Sequence, residues 1–402
     1  MRKIAIIGAG ASGMMAAITA ASLGAQVTIY EKGERVGQKI LKTGNGKCNL
    51  SNLKMDSGEF YSSHPERVKE IIHKFTVEDT IDFFGQLGVM IRDRGGYLYP
   101  YAEQAQVVLD ALRFKLDELG VGLRCGQEIK TVTRDDSGGF KLGGETYDKV
   151  IVACGSIAAG RFDEGKSGYQ IAKDLGHKVV DIVPGLCKLI CGEGFLKALA
   201  GVRCQAKLTL LIDGKEVQVE VGELQFVATA LSGIPIFQMS RTAAYALKSG
   251  KDVTVLVDFF PDKTEAEYED FCRLRLSTFS NKTVLDFLLG MTNKKINQVM
   301  IKLHNLQQQE KVSDIGEERM FKLLRSYRKL EFKVKSADTF TNAQVAAGGV
   351  SLADLSCNLE SLLVPGLYFI GEIVDVDGRC GGYNLQWAWS SGNIAGVSSV
   401  KL

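Results

Sequence analysis

Ile4-Ala5-Ile6-Ile7-Gly8-Ala9-Gly10-Ala11-Ser12-Gly13 decides the fold of this chain. Four apolar residues in a row suit a strand buried on both faces of a parallel sheet. The GxGxxG that follows turns the chain into a helix. Gly8 permits the tight turn, Gly10 lets backbone approach a pyrophosphate, and Gly13 lets the helix pack closely on the strand. Ala11 and Ser12 open the helix, whose unpaired N–H groups and field favour phosphate. Met14 to Leu23 continue it and Gly24 ends it. Gln26 to Tyr30 form a second strand, and Glu31 stands at its end, 21 residues after Gly10. A carboxylate there would accept hydrogen bonds from an adenosine ribose and repel a phosphate on it. The unit predicts FAD or NAD rather than NADP, and alone it does not separate the first two.

The 402 residues suffice for one large domain plus one or two smaller ones. Glycine is abundant at 44, as tight turns around a large ligand or loose loops would both require. A net charge of +2 gives no independent support for nucleic-acid binding. The apolar start is too short for a signal peptide. No uncharged apolar run reaches the roughly 18 residues of a membrane span. Nine scattered cysteines without a CxxC pair predict reduced thiols in a cytoplasmic protein. His64, His73, His177 and His304 are far apart, so no metal site is expected.

After Glu31 and Lys32 comes Lys39, then Lys42-Thr43-Gly44-Asn45-Gly46-Lys47-Cys48-Asn49-Leu50-Ser51-Asn52. A loop of glycines, amides and lysines can cradle phosphate or a flavin ring with its N–H groups, or simply be a polar surface loop. Near the other end, Leu367 to Ile370 form a short apolar strand. It is followed by Gly371-Glu372, Asp375, Asp377, Gly381-Gly382-Tyr383-Asn384 and a helix-compatible stretch from Leu385 to Gly396. A strand end followed by glycine and helix is where open α/β sheets bind ligands. Trp387 and Trp389 read as core packing or as stacking partners of a ligand.

Together these motifs resemble the HI0933-like, bile-acid-operon type of NAD(P)/FAD-dependent oxidoreductase, an aminoacetone oxidase-like flavoprotein family. The resemblance covers nearly the whole chain. It implies an α/β fold: a Rossmann-like FAD-binding domain of the two-dinucleotide-binding-domain type, with inserted β-barrel-like and helical subdomains. It implies FAD contacts at Gly8, Gly10, Ala11, Ser12, Gly13, Glu31, Lys32, Lys39, Gly44, Gly46, Lys47, Cys48 and Asn49. Further contacts follow at Cys154, Gly155, Gly371, Glu372, Asp377, Gly381, Gly382, Tyr383, Asn384 and Gln386. Family members often have histidine or aspartate near Ala228, so an acid–base role there is in doubt.

Between the two ends the patterning changes twice. Residues 187–262 alternate as short strands, with Asp213-Gly214 as a hairpin turn. Residues 263–331 switch to helical periodicity, in helices near Glu265–Phe279, Thr283–Leu289, Lys294–Leu306 and Gly316–Arg328. Residues 1–186 and 332–402 then form the two parts of the FAD domain. Lys294, Lys295, Lys302, Lys311, Arg319, Lys322, Arg325, Arg328 and Lys329 mark either a solvated helical face or a surface for an acidic partner such as RNA. Gly160, Arg161 and Gly165 follow the strand end at Cys154-Gly155-Ser156.

Flavin would carry hydride chemistry while the protein orients substrate and handles the proton. Cys48, Lys47 and Tyr99 are the catalytic candidates, with Tyr101 and Arg92 chosen from loop context alone. Cys48 has an equally simple reading as a small packed residue. No second complete dinucleotide unit appears, so NAD(P)H is expected only as a transient electron donor. By the same resemblance, the expected activity is hydride transfer to or from a carbon–carbon double bond of an unidentified substrate, a small molecule or ribosomal RNA. Uridine reduction in ribosomal RNA and a non-catalytic flavin module are the alternatives. The sequence does not specify an oligomeric state.

Overall fold

The computed structural model describes residues 1–135, 138–159 and 166–401. Gly160, Arg161 and Gly165 lie outside them. The chain divides into two compact units, Met1–Val183 with Gln344–Leu402, and Pro184–Ala343.

The first unit is built on a five-stranded parallel sheet. Its order is Leu367–Phe369, Lys149–Val152, β1 (Lys3–Ile7), β2 (Gln26–Glu31) and Gly122–Cys125. Ile4, Ala5 and Ile6 are fully buried, which accounts for the unbroken apolar run. Helix α1 (Ala11–Ser22) follows β1. Its small residues find their reason at the other end of the sequence. A Cβ on Gly392 would sit 2.6 Å from the Ser12 carbonyl oxygen, and one on Gly396 would sit 2.8 Å from that of Ala16. The C-terminal helix (Tyr383–Lys401) thus packs on α1 almost backbone to backbone. Trp387 and Trp389 are core residues. Their Nε1 atoms donate to the carbonyls of Gly371 (2.9 Å) and Leu50 (3.0 Å).

The second unit is a closed antiparallel barrel. Its strands run Leu189–Cys191, Ala230–Ser232, Lys215–Val227, Arg203–Ile212, Val253–Asp258 and Leu330–Ala337, and the last pairs with the first. Asp213 and Gly214 both take positive φ (49° and 75°), as a two-residue hairpin turn requires. The strand Lys215–Val227 runs unbroken through Gly222. A Cβ there would lie 2.9 Å from Pro235 Cγ, so this glycine makes room rather than a break. Leu330–Ala337 closes the barrel, and the chain returns to the first unit at Gln344. A helix at Ile234–Lys248 went unanticipated, although Pro235 in its first turn and buried Ile236, Met239, Ala243 and Ala246 give its period. Helix Glu265–Phe279 begins with a capping box between Thr264 and Glu267.

Candidate functional site

The N-terminal unit is organised around Glu31. Its carboxylate accepts from the N–H of Ala9 (2.8 Å) and of Gly33 (2.8 Å), tying the end of β2 to the glycine turn. Gly8 takes φ +108° and sits against the Ala153 carbonyl, where no side chain fits. Gly13 lies against the Gly8 carbonyl, which brings α1 onto β1. Gly10 differs from both. A Cβ on it would meet no protein atom within 4 Å, and no side chain caps the helix it starts. Open space therefore faces uncapped N–H groups at a positive helix end. A cleft at this end of the sheet is lined by Ile7, Gly8, Tyr30, Glu31, Lys32, Gln127, Glu128, Ile129, Cys154 and Ser167. Gln127 to Ile129 were not anticipated. They are placed by the pairing of Gly122–Cys125 with β2, which local patterning does not reveal. Burial raises the Cys154 thiol to about 12. Gly155 takes φ +68° beside it.

The Lys39–Asn52 loop is held from within. Lys39 Nζ pairs with Glu372 Oε2 at 2.5 Å, and Glu372 Oε1 accepts from Ala346 N–H. Gly44, Asn45, Gly46 and Cys48 all take left-handed φ, so the chain coils tightly. Cys48, a catalytic candidate from the sequence, lies inside this coil. The residue is fully buried, and burial raises its thiol to about 12 against a smaller lowering by Thr43. It is a packed side chain. Lys47 is half exposed and pairs with Glu103 at 3.0 Å. Asn49 is buried; in the amide orientation that satisfies its neighbours it donates to the Ser51 and Leu98 carbonyls and accepts from Gly382 N–H.

The tail turns its polar groups inward. Gln386, expected to touch cofactor, is fully buried. Its Oε1 accepts from Ser51 (2.6 Å) and Thr80 (2.9 Å). Its Nε2 donates to the Phe75 and Thr76 carbonyls and to Ser390. Gly371, another expected contact, has its backbone groups engaged within the protein. Its N–H goes to Ser391 Oγ, its carbonyl accepts from Trp387, and it lies against Ser12. Asn384 closes onto Gly378 through both amide atoms. The Tyr383 hydroxyl donates to the Lys54 carbonyl. Asp377 is buried in a strand pair with Tyr61. Gly381 accepts from Asn52, and a Cβ on Gly382 would lie 2.6 Å from the Ser51 carbonyl oxygen.

A hairpin, Ile91–Arg94 with Tyr97–Pro100, lies against both of these segments. Arg92 pairs across with Tyr99, and Arg94 with Tyr97, so all four share one face. A Cβ on Gly44 would lie 3.3 Å from the Tyr99 ring, and one on Gly381 would lie 3.0 Å from the Tyr97 ring. Glu103 gathers Lys47, Arg92 and Arg94 around its carboxylate. Burial raises the Tyr99 phenol above its ordinary value, so it is protonated at neutral pH.

The model of the HI0933-like protein Rossmann domain matches residues 2–398. This chain belongs to that family. It is 38% identical over 408 aligned residues to the 3-dehydro-bile acid delta(4,6)-reductase of Clostridium scindens, covering 100% of both chains. It is 30% identical over 404 residues to the ribosomal RNA dihydrouridine synthase of Haemophilus influenzae, covering 98% and 97%. The 3-ketosteroid delta1-dehydrogenase of Sterolibacterium denitrificans shares the fold at a TM-score of 0.51 and 11% identity, over the whole of each chain. As an HI0933-like protein, the chain is an FAD-dependent oxidoreductase and not a non-catalytic flavin module.

The residues present fit FAD. Space beside Gly10, uncapped N–H groups and the adjoining cleft suit an adenosine diphosphate. Among the described residues no group of His, Cys, Asp and Glu could hold a metal ion. No described helix is long and apolar enough to cross a membrane.

Proposed function

We propose that this oxidoreductase reduces a polarised carbon–carbon double bond in a small, apolar-bodied molecule such as a steroid enone. The observation that carries the reading is full-length similarity, at 38% identity, to a reductase whose substrate is a 3-dehydro-bile acid. Similarity to the ribosomal RNA enzyme is lower, at 30%. Several cations of the helical segment also have internal uses, which supports the solvated-face reading. Arg328 pairs with Asp258, Arg325 with Glu269, and Lys295 donates to the Ala200 carbonyl.

FAD, when bound, supplies the hydride. Gly10, Ala11, Ser12 and Gly13 hold its pyrophosphate at the start of α1, and Glu31 and Lys32 meet the adenosine. Lys39, Gly44 and Gly46 line the way to the ring. One alkene carbon gains the hydride and the other gains a proton. Tyr99 is the proton donor we favour, because its protonated phenol stands beside Gly44. Lys47 keeps its neighbourhood positive. A nicotinamide dinucleotide would supply the two electrons that return the flavin to its reduced form.

The test is reoxidation of anaerobically reduced holoenzyme. A 3-oxo-4-ene steroid acid should reoxidise the flavin, and ribosomal RNA lacking dihydrouridine should not. The reverse result would sink the reading. Tyr99→Phe should lower turnover by about 100-fold or more with FAD content kept; equal turnover removes Tyr99 from the mechanism.

A further inference from the structure

The hairpin face beside the flavin loops carries more positive charge than the protein neutralises. Lys47, Arg92 and Arg94 surround one carboxylate, that of Glu103, so three cations against one anion leave two positive charges. The cluster is preorganised. Glu103 takes φ +53°, and its N–H bonds to the Pro100 carbonyl, which turns its carboxylate back over the hairpin. Arg92 reaches the Glu103 carboxylate through Nη1 and Arg94 through Nη2, and the Arg92 side chain is 32% exposed. Lys47 and Arg94 are 45% and 42% exposed, so a ligand from solvent reaches them.

Tyrosine rings flank the cations. Arg92 lies 4.2 Å from the centre of the Tyr101 ring, and Arg94 lies 5.9 Å from that of Tyr99. Tyr97 and Tyr101 are themselves exposed. Fork-shaped donors beside exposed aromatic faces match a ligand that carries both phosphate and a flat base. The site is open and compact, which suits a visitor that binds and leaves.

We propose that this face docks the phosphates of a nicotinamide dinucleotide, the electron donor. The proposal rests on the reading above that NAD(P)H recharges the flavin, and it gives that donor a place. NAD(P)H gives up a hydride and leaves as NAD(P)⁺, while FAD takes up that hydride and a proton from solvent. Both the pyrophosphate and a 2′-phosphate have the required chemistry.

The experiment uses FAD-loaded protein and two probes, adenosine 2′,5′-bisphosphate and ADP, in equilibrium dialysis. Arg92→Gln combined with Arg94→Gln should raise the dissociation constant of the tighter probe by about tenfold or more. The concentration of NADPH or NADH that half-saturates anaerobic flavin reduction should rise by a similar factor. Preference for the bisphosphate assigns the cluster to a 2′-phosphate, and equal binding assigns it to the pyrophosphate. Lys47→Gln, a half-exposed position that the fold tolerates, should weaken the same probe several-fold, and affinity should fall as salt rises. Unchanged probe affinity in these variants overturns the proposal. So does a loss of FAD that accounts for the whole effect, or binding of a ribosomal RNA fragment that the double substitution abolishes while the probes are unaffected. None of these measurements uses the alkene substrate, so failure of the enone reading leaves the result standing.

Discussion

The two ends of the chain both carry glycine-rich motifs beside the same sheet, and they are built for opposite purposes. At the N-terminal end, Gly10 opens onto space, and the helix behind it is uncapped. At the C-terminal end, Gly371, Gly382 and Gly392 each stand where a side chain would collide with protein, and the polar groups of Gln386 and Asn384 are used internally. Similar sequence signals thus stand beside open space in one place and close chain contact in the other. What separates them is whether the space beyond the glycine is already filled.

The strongest way to break this comparison is Gln386→Leu. Losing an acceptor for Ser51 and Thr80 and a donor to two carbonyls should cost about 3 kcal/mol or more. Urea denaturation of the apoprotein reads it. Unchanged stability with lost FAD would restore Gln386 as a cofactor ligand. Next is Gly392→Val, which should destabilise by about 1–3 kcal/mol through overpacking against α1. Gly10→Val sharpens the contrast. The apoprotein should melt within about 0.5 kcal/mol of wild type, as for a substitution that touches nothing. FAD affinity should nevertheless fall at least about tenfold, since the ligand's space is taken. A melting loss matching that of Gly392→Val would mean that the two glycines do the same job.

The smallest effect separates two thiols. Both Cys48 and Cys154 are raised to about 12 by burial, but only Cys154 lines the cleft. Alkylation of Cys154 should be slow at pH 8 and rise about tenfold per pH unit, because only thiolate reacts. FAD should suppress it, and Cys48 should stay unlabelled throughout. Peptide mapping after iodoacetamide decides the matter, and labelling of Cys48 ahead of Cys154 would reverse their assignment.

Local signals made much of this legible. The β1–α1–β2 unit, the Asp213-Gly214 turn and the helix at Glu265–Phe279 each rest on contacts a few residues apart, so spacing alone reveals them. The long strand through Gly222 was hidden because its glycine answers to Pro235, which sits on a different element. The helix at Ile234–Lys248 had a readable period but lay among strands. Glu103 gave no signal, since its three cationic partners come from two separate segments.

The sequence by itself determined a dinucleotide-binding unit and the family. These follow from glycine geometry and one carboxylate at a fixed spacing. Only the tertiary structure decided which motif residues border open space and which pack against the protein. Cys48 and Gln386 stand in ligand-like motifs, yet both are enclosed by segments distant in sequence. Burial and hydrogen-bond partners are properties of the assembled chain, and no local pattern carries them.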